Sequence, residues 1–341
     1  MPAATSGNIL FTQVVAKSES TYGTPATMTS GGRKLLASPT GIITIGQEWD
    51  WGDDRTVGLR NKVLTGGGTL ISSAPEVSLD VPAISIGELP VWLSGIRTVT
   101  PSGAGPYTWD FKPTLTSTSN SPKSMTFVVG DGVQQYLLNY VLPTEISIKA
   151  DRSGLTSLSA SAFANSIAKN SDTLAAPVPT SKMLSGRLWK LFTYATAADF
   201  STDIAASTPT GGTQYTYLLD FDLKLMSGLT NQAYLNGTTN WSTHAETEQI
   251  GGDVSFTVTS NAAAVTTWYD SLGTAEYVRL TWTDGTYTVH ILAAFQVSDV
   301  QPMAGDEDGL TTMTVSGKLA YDPTAAAVWR IVVVSDLATL P

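Results

Sequence analysis

Apolar and polar residues alternate along most of the chain, the period-two pattern of strands with one face in a core and the other in water. The alternation is clearest over residues 76–81, 145–149, 253–258, 277–282 and 312–319. Asp131-Gly132 and Asp284-Gly285 interrupt such runs. Asp-Gly favours tight hairpins because both central residues of the commonest turn need positive φ. Two stretches carry helical spacing instead. The first, 86–96, places Ile86, Leu89, Leu93 and Ile96 on one face beside Trp92, and Pro90 within it predicts a short or kinked helix. The second, 262–272, does the same with Val265, Trp268, Tyr269 and Leu272. Residues 325–340, with Arg330-Ile331-Val332-Val333-Val334, predict a final strand available to a neighbouring element.

The order of these signals occurs twice. Leu10-Phe11-Thr12 opens a strand running to Glu19-Ser20-Thr21, and Leu191-Phe192-Thr193 opens another running to Phe200-Ser201-Thr202. Residues 76–81 lead into the first helix as 253–258 lead into the second. Gly154-Leu155-Thr156 followed by Ser161 matches Gly309-Leu310-Thr311 followed by Ser316. The reading is a duplication: a first domain over 1–164, a linker over 165–185 containing Ala175-Ala176-Pro177-Val178-Pro179, and a second domain over 186–341.

Composition narrows the function. Charged residues are 14% of the chain, against roughly 25% in an ordinary soluble domain. That fits a Thr/Ser/Gly-rich β protein with surface covered by partners. A net charge of −10 argues against a nucleic-acid binder, which must neutralise phosphates with Lys and Arg. The absence of cysteine excludes disulfides, thiolate metal sites and cysteine nucleophiles. The opening residues do not read as a signal peptide, and no apolar run approaches the roughly 18 residues of a membrane span. His244 and His290 belong to no metal pattern, and Gly66-Gly67-Gly68 lacks the features of a phosphate loop. The acidic turn Gly305-Asp306-Glu307-Asp308-Gly309 has the oxygens for calcium, though a solvated hairpin loop is the plainer reading. No constellation points to catalysis, and no catalytic residue, cofactor or metal is expected. One connection is too long for a hairpin: 47–62 carries Trp49, Trp51, Asp53, Asp54, Arg55 and Arg60, residue types enriched at interfaces. Its counterpart in the second half, 227–250, carries Tyr234 and Trp241.

The opening strand followed by Glu19-Ser20-Thr21-Tyr22-Gly23-Thr24-Pro25-Ala26 resembles the N-terminal signature of the tail tube proteins of long-tailed siphophages. The long loop after the strand near Gly41–Gly46, the helix with Leu89-Pro90-Val91-Trp92-Leu93, the Gly-Asp-Gly hairpin and the Ile146-Ser147-Ile148 strand pair are similar too. The resemblance covers 8–164; in the second half Phe200-Ser201-Thr202-Asp203 replaces the Tyr-Gly-Thr-Pro element. It implies a mainly β fold: two tandem tail-tube-type β-sandwich or barrel domains, each with one short flanking helix, pairing into an inter-subunit β-barrel. It implies self-assembly into stacked rings, with three chains per ring in pseudo-sixfold symmetry, or six in the alternative. The long loops would serve inter-ring or inter-subunit contacts. The other implied partners are the tape-measure, tail terminator and tail-tip proteins. DNA would pass through without specific binding, no membrane would be involved, and the protein would be made in the host cytoplasm and reside in the virion. Alternating segments place Glu145, Ser147, Lys149, Ser157, Ser159, Asp222, Lys224, Thr312, Thr314 and Lys318 on polar faces, and by resemblance these would line the lumen. The alternative from a different class is a baseplate, decoration or carbohydrate-binding adhesive β-sandwich.

Overall fold

A computed structural model describes residues 13–38, 42–50, 68–115, 119–131, 134–170, 181–261 and 264–341. The first half contributes β1 (Gln13–Ser18), β2 (Arg33–Leu35), β3 (Ile43–Thr44), β4 (Gln47–Asp50), β5 (Thr69–Ser73) and β6 (Glu76–Val81). It continues with α1 (Leu89–Ser94), β7 (Tyr107–Phe111), β8 (Met125–Gly130), β9 (Gln135–Asp151), β10 (Ser157–Phe163) and β11 (Ser166–Asn170). The second half contributes β12 (Trp189–Thr193), α2 (Ala197–Ala205), β13 (Thr213–Tyr215), β14 (Leu218–Met226), β15 (Leu229–Gln232), β16 (Thr243–Glu246) and β17 (Gly251–Thr259). After a π-helical turn over Val265–Tyr269 come β18 (Ala275–Thr283), β19 (Thr288–Glu307), β20 (Leu310–Leu319) and β21 (Trp329–Ser335). The protein is therefore mainly β; among the described residues every strand pair is antiparallel and seventeen strands join in one hydrogen-bonded network. No helix among the described residues is long and apolar enough to cross a membrane.

The strand pairing recurs. In the first half β1 pairs with β2 and β8, β8 with β9, and β9 with β10 and β11, while β10 also pairs with β6. In the second half β12 pairs with β13 and β18, β18 with β19, and β19 with β20 and β21, while β20 also pairs with β17. The long strands β9 and β19 each serve two layers: their first parts pair with one set of neighbours and their last parts with another. Bulges at the changeover bend them. The strands on either side of both predicted turns pair as hairpins, but the second turn is wider than the predicted one, running from Thr283 to Thr288 with positive φ at Gly285 (+95°) and not at Asp284. Asp131 accepts from Gln134 N (2.8 Å), and Asp284 accepts from Thr286 N and Tyr287 N (3.0 and 2.9 Å).

The halves share one hydrophobic core. Its largest fully buried side chains include Trp109 and Phe111 of the first half and Trp268, Trp282, Trp329, Phe256 and Phe295 of the second. β7 crosses to pair with β21, and Trp109 Nε1 donates to Leu337 O at 2.9 Å. The predicted final strand thus lies between β19 and β7. Of the stretch expected as a linker, Ser166–Asn170 is a strand on β9, and 171–180 lies outside the described residues.

The helix predictions need two corrections. The first helix is short, with Pro90 in its opening turn, and every residue from Leu89 to Ser94 is buried. The second forms only the π-helical turn, anchored by buried Trp268. The strand predicted from Leu191 to Thr202 stops at Thr193, because α2 takes the rest. Thr196 caps it by accepting from Asp199 N (3.2 Å), and Phe200 and Ile204, one turn apart, bury its inner face. The Glu19–Ala26 motif acquires a role. Buried Glu19 accepts from Gly23 N, Tyr140 N, Ser124 Oγ and Thr126 Oγ1 at 2.7–3.0 Å, pinning the turn after β1 against β8 and β9.

Candidate assembly interface

The polar residues predicted from alternation come together on one surface. The strands β3-β6-β10-β9-β14-β17-β20-β19 form a continuous row, each hydrogen-bonded to the next. One face of this row is apolar and buried, built from Val77, Leu79, Leu158, Ala160, Ile146, Ile148, Leu223, Leu225, Val254, Phe256, Met313 and Val315. The other carries Ser157, Ser159, Glu145, Ser147, Lys149, Asp222, Lys224, Ser255, Thr257, Thr312, Thr314, Ser316 and Lys318. Each residue predicted as polar-faced lies on this second side. Thr312 and Ser147 are buried there by their neighbours, and Lys149 and Lys318 are exposed. Nine carboxylates (Glu76, Asp80, Glu145, Asp151, Asp220, Asp222, Asp253, Asp299 and Glu307) face three lysines (Lys149, Lys224, Lys318) across this side, with Arg152 on Glu307, so it is acidic. Lys149 pairs with Asp222 and Lys224 with Glu145, each at 2.8 Å, and Ser147 Oγ donates to Asp222 at 2.7 Å. The hydrogen bond to Glu145 raises the Lys224 pKa, and burial pushes the Asp220 carboxyl up where it lies opposite Asp151.

The middle of the row is a seam between the halves. β14 pairs with β17 of its own half on one edge and with the end of β9 on the other, from Asp220↔Asp151 to Met226↔Glu145. Counting along the paired strands, Ile43 opposite Val77 corresponds to Leu223 opposite Val254, because Val77 faces Ala162 as Val254 faces Gly317. Leu223 and Leu225 are fully buried by the seam, whereas Ile43 is half-buried and Ile45 is 55% exposed. β3 has no partner among the described residues on its outer edge. At the other end of the row β19, from Ser298 to Glu307, pairs among the described residues with β20 alone, and Met303 is 86% exposed. Its first-half counterpart, the end of β9, is covered by β14.

Two ribbons leave the row. The β15–β16 ribbon folds onto the first half, where Trp241 is 3% exposed between Tyr140 and Phe163, with centroids 4.5 and 5.1 Å away. Trp241 Nε1 donates to Ala164 O at 2.7 Å, and its carbonyl accepts from Asn165 Nδ2. His244 bonds Tyr140 Oη at 2.9 Å, and burial lowers its pKa. Glu246 accepts from Ser119 and Asn120. Trp241, predicted as an external contact residue, is therefore an anchor within its own chain; Tyr234 beyond it is 60% exposed. The β4–β5 ribbon carries Trp49, 43% exposed, and Ile71, 51% exposed. Trp51, Asp53, Asp54, Arg55 and Arg60 lie outside the described residues.

The acidic turn at Asp306–Asp308 is occupied by a side chain. Arg152 pairs with Glu307 at 3.0 Å and with Asp308. Among the described residues no group of three or more His, Cys, Asp or Glu side chains is placed to hold a metal ion. A buried polar cluster that sequence reasoning missed joins Tyr194, Asp203 and Arg279. Asp203 accepts from Tyr194 Oη, Thr210 N and Gly211 N, while Arg279 donates to Pro209 O and Gly211 O, so its groups tie α2 and its following loop to β18. The only advance signal was an arginine in an apolar strand. No protein-family model matches the chain, and no curated protein matches it.

Proposed function

We propose that the chain is a structural protein of a siphophage tail tube, carrying two tandem copies of one tube unit and assembling into rings that stack into a conduit for DNA. The observation that carries this reading is the seam. Strand β14 completes the edge of β9 within the chain, while β3, the counterpart of β14, and the end of β19, the counterpart of the end of β9, have no strand on their outer edges among the described residues. Open edges are templates for pairing with another chain. Repeating the seam between chains joins β3 of one copy to β19 of the next, a head-to-tail contact that closes a ring when the rotation allows. Two units per chain and six per ring give three chains.

The same repetition extends the acidic face around a bore and the apolar face into a dry wall. An acidic polar lining offers DNA no phosphate-neutralising groups and keeps it from adhering as it passes. The role is passive, without catalysis or cofactor, and its setting is the virion. Negative-stain electron microscopy of the purified protein tests this: stacked rings or tubes are expected, and discrete compact particles across conditions would refute it.

A further inference from the structure

Repeating the seam between chains, the reading on which this inference rests, also carries the β4–β5 ribbon to a definite place. Inside the chain the second-half ribbon lands on two strand ends of the first half: Ser73-Ala74, where Ser73 N donates to Thr239 O (2.9 Å), and Ala164-Asn165, which hold Trp241. By the same register count, Ser73 corresponds to Ile250, and Ala164 and Asn165 to Leu319 and Ala320. Those second-half positions line a cavity of about 990 Å³, walled also by Tyr321, 54% exposed, and by Arg97 and Lys112 of the first half.

Each ribbon leaves the row through a glycine hinge. Gly228 (φ +71°) precedes β15 and Gly46 (φ +56°) precedes β4. A Cβ on Gly228 would meet Glu248 O at 2.4 Å, and one on Gly46 would meet Ala74 O at 2.1 Å. Each glycine lets its ribbon turn tightly past the backbone leading into the neighbouring strand, Gly228 sitting two residues further along its strand than Gly46 by the same register count.

We propose that the cavity at Ile250, Leu319, Ala320 and Tyr321 is the seat of the β4–β5 ribbon of the adjacent copy in the same ring. The half-exposed Trp49 and Ile71 supply its apolar contacts. Glu48 of the ribbon approaches Lys112 of the seat. Each junction then has a strand pair and a ribbon latch, as the internal seam does.

The chain has no cysteine, so paired cysteines report single contacts. Full-length protein carrying Ile71→Cys and Tyr321→Cys is treated with a short bismaleimide, beside a second variant carrying Ile45→Cys and Val300→Cys across the proposed strand edge. The expected result is a ladder of covalent dimers and trimers from both. A ladder from the edge pair with none from the seat pair overturns the latch and leaves the ring reading standing. A seat-pair link confined to single chains also overturns it. No ladder from either variant, with the protein monomeric, removes the ring reading and the latch together. Trp49→Ala, with an unchanged far-ultraviolet spectrum, is expected to lower the yield of rings at least about tenfold, as loss of an interface anchor does; an unchanged yield counts against the latch.

Discussion

Replacing Trp241 with alanine should detach the β15–β16 ribbon from the first half. A buried tryptophan removes on the order of 150–250 Å² from water, which at about 25 cal/mol per Å² is about 4–6 kcal/mol. The figure is an upper bound, since the unfolded chain already hides part of that area. Truncations of this kind measure about 3–5 kcal/mol. The lower half of that range fits here, because the ribbon covers an outlying cluster with Tyr140, Leu142, Phe163 and Leu229 and can settle into the gap. Trp241→Phe separates the contributions. It keeps the ring contacts but leaves Ala164 O without its donor, costing about 1–2 kcal/mol. Urea unfolding followed by circular dichroism gives both values from the midpoint, provided the slope is unchanged. A loss below about 1 kcal/mol for the alanine variant would refute the ribbon as an anchor of the seam.

Four further outcomes follow from named contacts. Burial, with Arg279 nearby, holds His290 at about 4, below its ordinary 6.5, so the folded state binds fewer protons than the unfolded chain between those values. Stability present above pH 6.5 is then lost as the pH falls toward 4, by up to about 3 kcal/mol, and His290→Gln should flatten the thermal midpoint over that window; an equally steep loss in the variant would assign it elsewhere. Arg330, almost fully buried, donates to both oxygens of half-exposed Asp110 at 2.8 Å and to Ile204 O and Ala206 O, so Arg330→Met should cost about 1–3 kcal/mol in chemical denaturation, chiefly by orphaning the two carbonyls. Gly252 (φ +141°) faces Lys224 O, and a Cβ there would sit 1.8 Å away; Gly252→Ala should split the β14–β17 pair, read as faster amide exchange in both strands. Asp222→Lys with Glu145→Lys breaks two partly exposed ion pairs and sets lysines beside Lys149 and Lys224, so stability should fall by about 1–2 kcal/mol. The same variant should assemble normally yet eject its genome more slowly and retain DNA at low salt; unchanged ejection would count against a charge-based lining.

Much of the fold was legible because strand alternation is local. Ile146, Ile148, Phe221, Leu223 and Val315 each declare a buried face through their immediate neighbours, and the polar residues between them fall on one surface as expected. The missed helix was readable too: Thr196 with Asp199 is a cap signal, and Phe200 and Ile204 are spaced one turn apart. The Phe200-Ser201-Thr202 match to the earlier segment obscured them. What could not be read was which half a residue serves. Trp241 looks like any loop aromatic until the strand ends at Ala74 and Ala164 are in place beneath it. The pairing of β14 with β9 depends on two edges meeting that lie far apart in sequence, and no local pattern distinguishes an edge filled within the chain from one left for a neighbour.

The central claim is that the internal seam is the pattern for the contact between chains. Native mass measurement of isolated rings tests it most directly. Two units per chain require a closed species of three chains, each of 36.0 kDa. A closed ring of six chains, or a monomer that stays monomeric at assembly concentrations, would contradict the account.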